Sequence, residues 1–139
     1  MYRIKSIRLD EEGTQSLFLV SENSRDFLTE WAKEKRTKSV AKSLTSLLIR
    51  MYKNGLDWAL SSGKLRIIDG NLGFVELRDF SGVWRVACYL PNIKSKQMVL
   101  LREFRGHQGS NKIPPAVFED CLQLVNEARD AFKKEMLND

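Results

Sequence analysis

Residues 73–105 read GFVELRDFSGVWRVACYLPNIKSKQMVLLREFR and contain three runs typical of β-strands. The runs are Gly73–Phe80, Val83–Pro91 and Gln97–Arg105, and each is rich in aromatic, β-branched or other apolar residues. Ser81-Gly82 forms a tight turn between the first two runs, and residues 91–95 form a longer connection to the third. Because short connections join antiparallel neighbours, this pattern predicts a three-stranded antiparallel meander.

Two helices are predicted before the meander. Apolar residues at positions 27, 28, 31 and 32 have helical spacing and predict a helix from about Arg25 to Lys35, with candidate N-caps in residues 21–24. A second apolar face, at positions 40, 44, 47, 48, 51 and 52, predicts a helix that stops at Asn54-Gly55. The two helices are expected to form a hairpin that covers one face of the sheet.

The two ends of the chain complete the predicted fold. Tyr2 to Leu9 and Gln15 to Val20 have strand patterns and predict an N-terminal hairpin, whereas Val117 to Met136 has the pattern of an amphipathic helix. The fold class is therefore α+β: an N-terminal strand or hairpin, a two-helix hairpin, the three-strand antiparallel meander and a C-terminal helix. Residues 1–139 are expected to form one domain, with residues 1–14 as an N-terminal extension.

The composition of the chain limits its possible partners and its location in the cell. The chain has 139 residues, a formal net charge of +5 and a pI near 9.3, which favours an anionic partner such as nucleic acid or an acidic protein. No apolar run approaches the roughly 18 residues of a membrane helix, and the N-terminus lacks the apolar stretch of a secretory signal. These features predict a cytoplasmic location and no membrane contact.

The cysteines and the single histidine do not indicate a metal centre. Cys88 and Cys121 each lie among apolar residues and are expected to be buried free thiols. One His and two Cys are too few ligands for a zinc site of these residue types. We therefore expect neither a metal nor another cofactor.

Four short motifs resemble the RelE/HigB toxin superfamily, and more narrowly its phage-derived HigB-like branch. They lie in the order and spacing of that family, and the agreement in element order extends from about residue 15 to residue 130. The motifs are Gly73-Phe74-Val75-Glu76-Leu77-Arg78, Gly82-Val83-Trp84-Arg85-Val86 with Cys88-Tyr89, Val99-Leu100-Leu101-Arg102-Glu103-Phe104, and Ile113-Pro114-Pro115 before a helix.

The resemblance implies a RelE-like fold and the toxin of a type II toxin–antitoxin system. It implies an endoribonuclease that cuts mRNA, either free or on the ribosome, and a small antitoxin partner, often a helix-turn-helix protein. The sequence departs from the family in four places, of which the first is the N-terminal extension through Thr14. Its basic tract after Phe104 keeps only Arg105 and Lys112 as certain charges, Glu76 stands where RelE itself carries a lysine, and no Tyr follows Tyr89.

RNA cleavage by attack of the 2′-hydroxyl group on the adjacent phosphate needs a proton acceptor, a proton donor and cations near the phosphate. Arg78 and Arg85 flank the tight turn and are expected to lie roughly opposite one another, with Arg105 completing a cationic cluster. Arg85 aligns with the family's strand arginine and is the first candidate. His107 is the candidate acid or base. The alternative for the arginines is a solvated sheet face with ion pairs to Glu76, Asp79 and Glu103.

Further candidates concern RNA binding. Trp84 could stack on a base, although burial in the core is the commoner fate of a strand tryptophan. Lys112 belongs to the loop after the third strand, and Lys35, Arg36 and Lys38, with Lys42 nearby, form a basic patch at the tip of the helical hairpin. The alternative for that patch is a solvated turn.

Two other functions stay open at this point. A ParE-like toxin would have the same fold and inhibit gyrase without nuclease chemistry. A non-catalytic binding module would keep the fold and lack cleavage, which the reduced basic tract after Phe104 favours.

Overall fold

The computed structural model describes residues 2–6, 17–22, 26–79, 82–92, 97–105 and 113–128. Its strands are β1 (Tyr2–Ser6), β2 (Leu17–Glu22), β3 (Leu65–Asp69), β4 (Leu72–Asp79), β5 (Gly82–Asn92) and β6 (Gln97–Arg105). Its helices are α1 (Phe27–Lys33), α2 (Lys38–Asn54), α3 (Leu56–Ser61) and α4 (Pro115–Glu127). The predicted α+β class and the predicted N-terminal hairpin are confirmed.

The described strands form one sheet in the order β1-β2-β6-β5-β4-β3. All neighbouring strands are antiparallel except β2 and β6, which run parallel, with Leu17 beside Met98 and Leu19 beside Leu100. The predicted meander is present as β4, β5 and β6. It is one strand longer than expected, because β3 pairs antiparallel with β4 at the edge of the sheet.

Helices α1, α2 and α3 cover one face of the sheet. The apolar stripe of α2 is buried as its helical spacing predicts, except for the half-buried Tyr52, and it packs on side chains such as Val75 and Val86 of the meander. Trp31 of α1 meets Trp84 of β5 edge to face, with 5.3 Å between the ring centroids. Helix α2 ends at Asn54 as predicted, because Gly55 takes a φ of 91° and its N–H donates to Met51.

The other face of the sheet is packed against α4. Phe74, Ala87 and Phe104 point to this side, and Cys121 of α4 is buried among them. Arg102 of β6 also reaches α4, where its Nη1 lies 2.5 Å from the Asp120 carboxylate. Strands β3 to β6 therefore have helices packed on both faces, and their apolar residues divide into two cores. None of the helices within the described ranges is both long and apolar enough to cross a bilayer.

The start of α1 differs from the prediction. Residues 21 and 22 belong to β2, and the N-cap is Asp26, whose Oδ1 accepts a hydrogen bond of 2.7 Å from the Thr29 N–H. The Asp26 Oδ2 also accepts from the Thr29 hydroxyl group. A carboxylate at this position satisfies one of the unpaired N–H groups of the first turn and opposes the positive end of the helix dipole. The predicted end of the C-terminal helix at Met136 lies outside the described residues.

Candidate functional site

An open groove lies at the β3 edge of the sheet. Strand β3 begins at Leu65, which pairs with Val75, whereas β4 continues for four further residues to Asp79. The last backbone link across this edge is the 2.9 Å hydrogen bond from the Glu76 N–H to the Lys64 carbonyl group. Helix α2 runs beside the overhanging end of β4. The space between them has a volume of about 620 Å³, and we call it the sheet-edge groove.

The lining of the sheet-edge groove is strongly cationic. Five basic residues and one carboxylate line it, together with small polar residues from α2 and from the turn before β3. The basic residues are Lys42 and Arg50 of α2, Lys64 and Arg66 at the start of β3, and Arg78 of β4; the carboxylate is Glu76. Clustered cations along a concave wall raise the local potential and attract anionic ligands. Their number fits a polyanion better than a single phosphate group.

The Glu76 carboxylate is held by Arg85 of β5, which lies directly across from it in the sheet. The Arg85 Nε and Nη2 atoms donate to the same oxygen, Oε1, at 3.1 and 2.9 Å. Only 1 % of the Arg85 side chain is exposed, against 13 % for Glu76. The guanidinium carbon also lies 4.7 Å from the centre of the Phe74 ring, a cation–π distance. The buried Arg85 guanidinium group is thus held in place by two contacts, the ion pair with Glu76 and the ring of Phe74.

The two carboxylate oxygens of Glu76, Oε1 and Oε2, differ in their hydrogen bonds. Because both guanidinium hydrogen bonds end on Oε1, Oε2 accepts none from the described residues. Glu76 is among the residues that line the sheet-edge groove, and 13 % of its side chain is exposed, on the same face of the sheet as Phe74. A carboxylate that is anchored through one oxygen and keeps the other without a protein hydrogen bond can accept a proton from a ligand that reaches it.

The sequence predicted a cationic cluster of Arg78, Arg85 and Arg105, and this prediction is wrong for Arg85. Arg78 is exposed in the sheet-edge groove, as a phosphate ligand would be. Arg85 forms the ion pair with Glu76 that the alternative interpretation named, but it is buried and does not lie on the solvated face which that interpretation expected. The register also differs, since Arg78 pairs with Val83 and the backbone of Arg105 pairs with Trp84.

The other candidates are dispersed. Trp84 is only 5 % exposed and belongs to the core beneath α1, so the proposed stacking on a base is wrong. Lys35, Arg36 and Lys38 are exposed around the turn between α1 and α2, which is the predicted patch, but none of them lines the sheet-edge groove. His107 and Lys112 lie outside the described residues, and they remain predictions.

Sequence reasoning missed most of the groove. Arg50, Lys64 and Arg66 were not candidates, and Glu76 was considered only as an ion-pair partner. One signal was present: Lys42, Ser46 and Arg50 recur every fourth residue of α2, on a stripe beside its apolar face. Lys64 and Arg66 could not be placed without β3, the strand that the sequence did not reveal.

The two thiols are structural. Burial raises the pKa of Cys121 to about 11, a value that includes the lowering by Arg102 and the smaller raising by Asp120. Burial also raises the pKa of Cys88. A buried thiol that stays protonated is a poor nucleophile. The prediction of buried free thiols is therefore confirmed. Across the described part of the chain, no three His, Cys, Asp or Glu side chains are grouped closely enough to hold a metal ion.

Comparisons with protein-family models, with curated proteins and with solved structures found no match to this chain.

Proposed function

We propose that the protein is a metal-independent endoribonuclease that binds single-stranded RNA in the sheet-edge groove, and that it acts as the toxin of a type II toxin–antitoxin pair. The observation that carries the proposal is the groove lining, which contains five cationic residues and one anchored carboxylate. RNA phosphates supply the matching charge. A single carboxylate among cations also supplies the proton acceptor that 2′-hydroxyl attack requires.

The fold supports the RelE/HigB part of this proposal. An N-terminal hairpin, a helical hairpin on one sheet face, an antiparallel meander and a helix on the other face follow one another in the order that the resemblance implies. The four motifs of the resemblance fall on β4, β5, β6 and the start of α4. Likeness of fold alone does not specify chemistry, so the activity depends on the groove.

The proposed reaction uses Glu76 as the base. Its Oε2 takes the proton of the 2′-hydroxyl group, the 2′-oxygen forms a bond to phosphorus, and the bond from phosphorus to the 5′-oxygen breaks. The products are a 2′,3′-cyclic phosphate and a 5′-hydroxyl end, and His107 in its protonated form is the candidate donor to that leaving oxygen. Arg78 and Lys64 stabilise the extra charge on the phosphorane.

Arg85 has a different role from the one expected from the sequence. It is a positioning residue, because its guanidinium group holds Glu76 and is itself too buried to touch a phosphate. A fixed carboxylate reaches the reactive geometry at a lower entropic cost than a mobile one. Glu76 replaces Arg85 as the central catalytic candidate.

A second function, RNA binding without cleavage, has one observation in its favour. The arginine that the resemblance identifies as catalytic is buried in an ion pair, which is also what a module that kept only the fold would show. In that case the five groove cations would still bind RNA, and Glu76 would serve only to neutralise Arg85.

Cleavage of an end-labelled single-stranded RNA in excess chelator tests the proposal. The wild-type protein should cut it and leave 2′,3′-cyclic phosphate ends. Glu76→Gln should lower the rate at least about 100-fold, the lower limit for loss of a general base. Glu119→Gln, a matched change of an exposed carboxylate on α4, should cut as the wild type does. An RNA with a 2′-deoxy sugar at the cleaved position should bind and resist cleavage.

The outcomes separate the candidate functions. Binding without cleavage by the wild-type protein would leave only the binding module. Equal cleavage by Glu76→Gln and wild type, with both folded by circular dichroism, would remove Glu76 from the mechanism. For the toxin role, induction in cells should arrest growth and produce new mRNA ends, and a co-expressed antitoxin should relieve the arrest. Arrest with intact mRNA and inhibited gyrase would favour the ParE-like alternative.

A further inference from the structure

A second groove lies on the helical hairpin, between α1 and α2. Its floor is apolar, made of Leu28, Ala32 and Ala41, and its volume is about 460 Å³. The remaining lining residues are cationic or carry hydroxyl groups, and none is acidic: Lys38, Lys42, Thr45 and Ser46. We call this space the α1–α2 groove. It combines a flat apolar surface with hydrogen-bonding groups and positive charge at its rim.

The two grooves are continuous over the surface of α2. Lys42 and Ser46 line both of them, and they stand one turn apart on the helix. Arg50 extends the same stripe by a further turn into the sheet-edge groove. From Lys42 to Arg50 the stripe covers about 12 Å along the helix axis, at 1.5 Å per residue. A ligand bound in the sheet-edge groove can therefore reach the α1–α2 groove without crossing an acidic surface.

We propose that the α1–α2 groove is a nucleobase subsite, which holds one unstacked base of a single-stranded RNA whose phosphates lie in the sheet-edge groove. The inference rests on the proposed RNA binding and narrows its substrate to single strands. The ring of a base lies on Leu28 and Ala32, and the Ser46 hydroxyl group meets its polar edge. The Thr45 hydroxyl group donates to the Ala41 carbonyl group at 2.9 Å, so it is open to the base only as an acceptor. Lys42, shared by both grooves, binds the phosphate between them.

The chemistry of the groove favours a base over the other anionic occupant, an acidic helix of a partner protein. A bound helix needs apolar anchors repeated over several turns. Here the apolar floor is confined to three side chains, two of them alanines. An acidic helix bound in the α1–α2 groove would also make no use of Lys42 and Ser46 as the link to the sheet-edge groove. A duplex has no free base to offer, because its bases are stacked and paired.

Binding of short oligoribonucleotides to the Glu76→Gln protein, which is not expected to cleave them, tests the subsite. The probes are a single-stranded RNA of about ten nucleotides and a set in which one position at a time is abasic. One abasic position should weaken binding about tenfold, the scale that a single bound base contributes in single-strand binders. Ala32→Met fills the groove without a change of charge, and Ala116→Met on α4 is its matched control, since both alanines are exposed.

Ala32→Met should weaken binding of the intact RNA about tenfold, and it should remove the penalty of the abasic position; Ala116→Met should do neither. If every abasic probe binds like the intact RNA, or if adding Ala32→Met to the Glu76→Gln protein leaves RNA binding unchanged, the subsite is absent. Loss of affinity for a glutamate-rich amphipathic peptide in Ala32→Met, with RNA binding unchanged, would assign the groove to a protein partner instead. Failure of the parent proposal is distinct, because then no RNA binds at all.

Discussion

Removal of Arg85 should destabilise the fold, which is the opposite of what a surface catalytic arginine would show. Arg85→Ala deletes a guanidinium group that is 1 % exposed, leaves Glu76 without its two hydrogen bonds, and opens a cavity beside Phe74. Breaking a buried ion pair by removal of one partner costs about 3–5 kcal/mol. The cation–π contact with Phe74 adds about 0.5–2 kcal/mol.

These magnitudes set the expected result. A domain of this size is stable by about 5–15 kcal/mol, so Arg85→Ala should lose a large part of its free energy of unfolding. Glu76→Gln keeps an acceptor oxygen for Arg85 and should cost less than Arg85→Ala. A variant that replaces both residues by apolar ones, Arg85→Met with Glu76→Leu, should recover much of the loss, because no buried charge is then left unpaired.

Urea denaturation followed by tryptophan fluorescence measures each free energy of unfolding, since Trp31 and Trp84 are buried in contact. The four corners of a double-mutant cycle give the coupling between Arg85 and Glu76. The control is Arg50→Ala, an exposed groove arginine whose loss should leave stability near that of wild type. A cost below about 1 kcal/mol for Arg85→Ala would refute the reasoning, because it would place Arg85 among exposed ion pairs.

Three smaller predictions concern other parts of the fold. Gly73→Ala would place a Cβ against the Arg66 carbonyl group of β3, and urea denaturation should show a loss of about 1–3 kcal/mol. Asp26→Ala removes the cap of α1 and should cost about 1 kcal/mol, whereas Asp26→Asn should keep most of it. Because the pKa of Cys121 rises to about 11 and that of Cys88 is also raised, both thiols hold their protons in the folded chain when unfolded thiols lose theirs above about pH 9. Stability should fall from there to pH 11 by up to about 1.4 kcal/mol per pH unit and thiol, and an unchanged slope in Cys88→Ala would contradict the assignment.

The elements that depend on local pattern could be predicted from the sequence. The apolar stripe of α2 and the stop at Gly55 are properties of neighbouring residues, and so are the strand patterns of β4, β5 and β6. Strand β3 was not predicted because its alternation is interrupted. The register shifts between Ile67 and Asp69, so its residues do not alternate cleanly between the two faces. Its pairing partner, β4, stabilises what the local sequence does not indicate.

The site was harder to predict, because it depends on register. Asp79 pairs with Gly82, which sets Glu76 opposite Arg85. A turn displaced by one residue would have set Arg78 opposite Arg85, as expected from the sequence. A shift of two residues in the pairing thus decides whether Arg85 faces another cation or a carboxylate. The groove cations come from α2, β3 and β4, and only the packing of α2 beside the open edge of the sheet brings them together.

The most direct test of the central claim, that the groove cations bind the RNA backbone, is the salt dependence of RNA affinity. The logarithm of the association constant should fall linearly with the logarithm of salt concentration, with a slope of about −0.7 for each phosphate contact to a single strand. Replacing Lys64 and Arg66 by glutamine should make the slope shallower by about 1.4. Lys53→Gln, an exposed change on α2 outside the groove lining, should leave it unchanged. All affinities are measured in the Glu76→Gln protein, which is not expected to cleave the RNA. An equal slope with and without the Lys64 and Arg66 substitutions would contradict the account, since the RNA would then bind elsewhere.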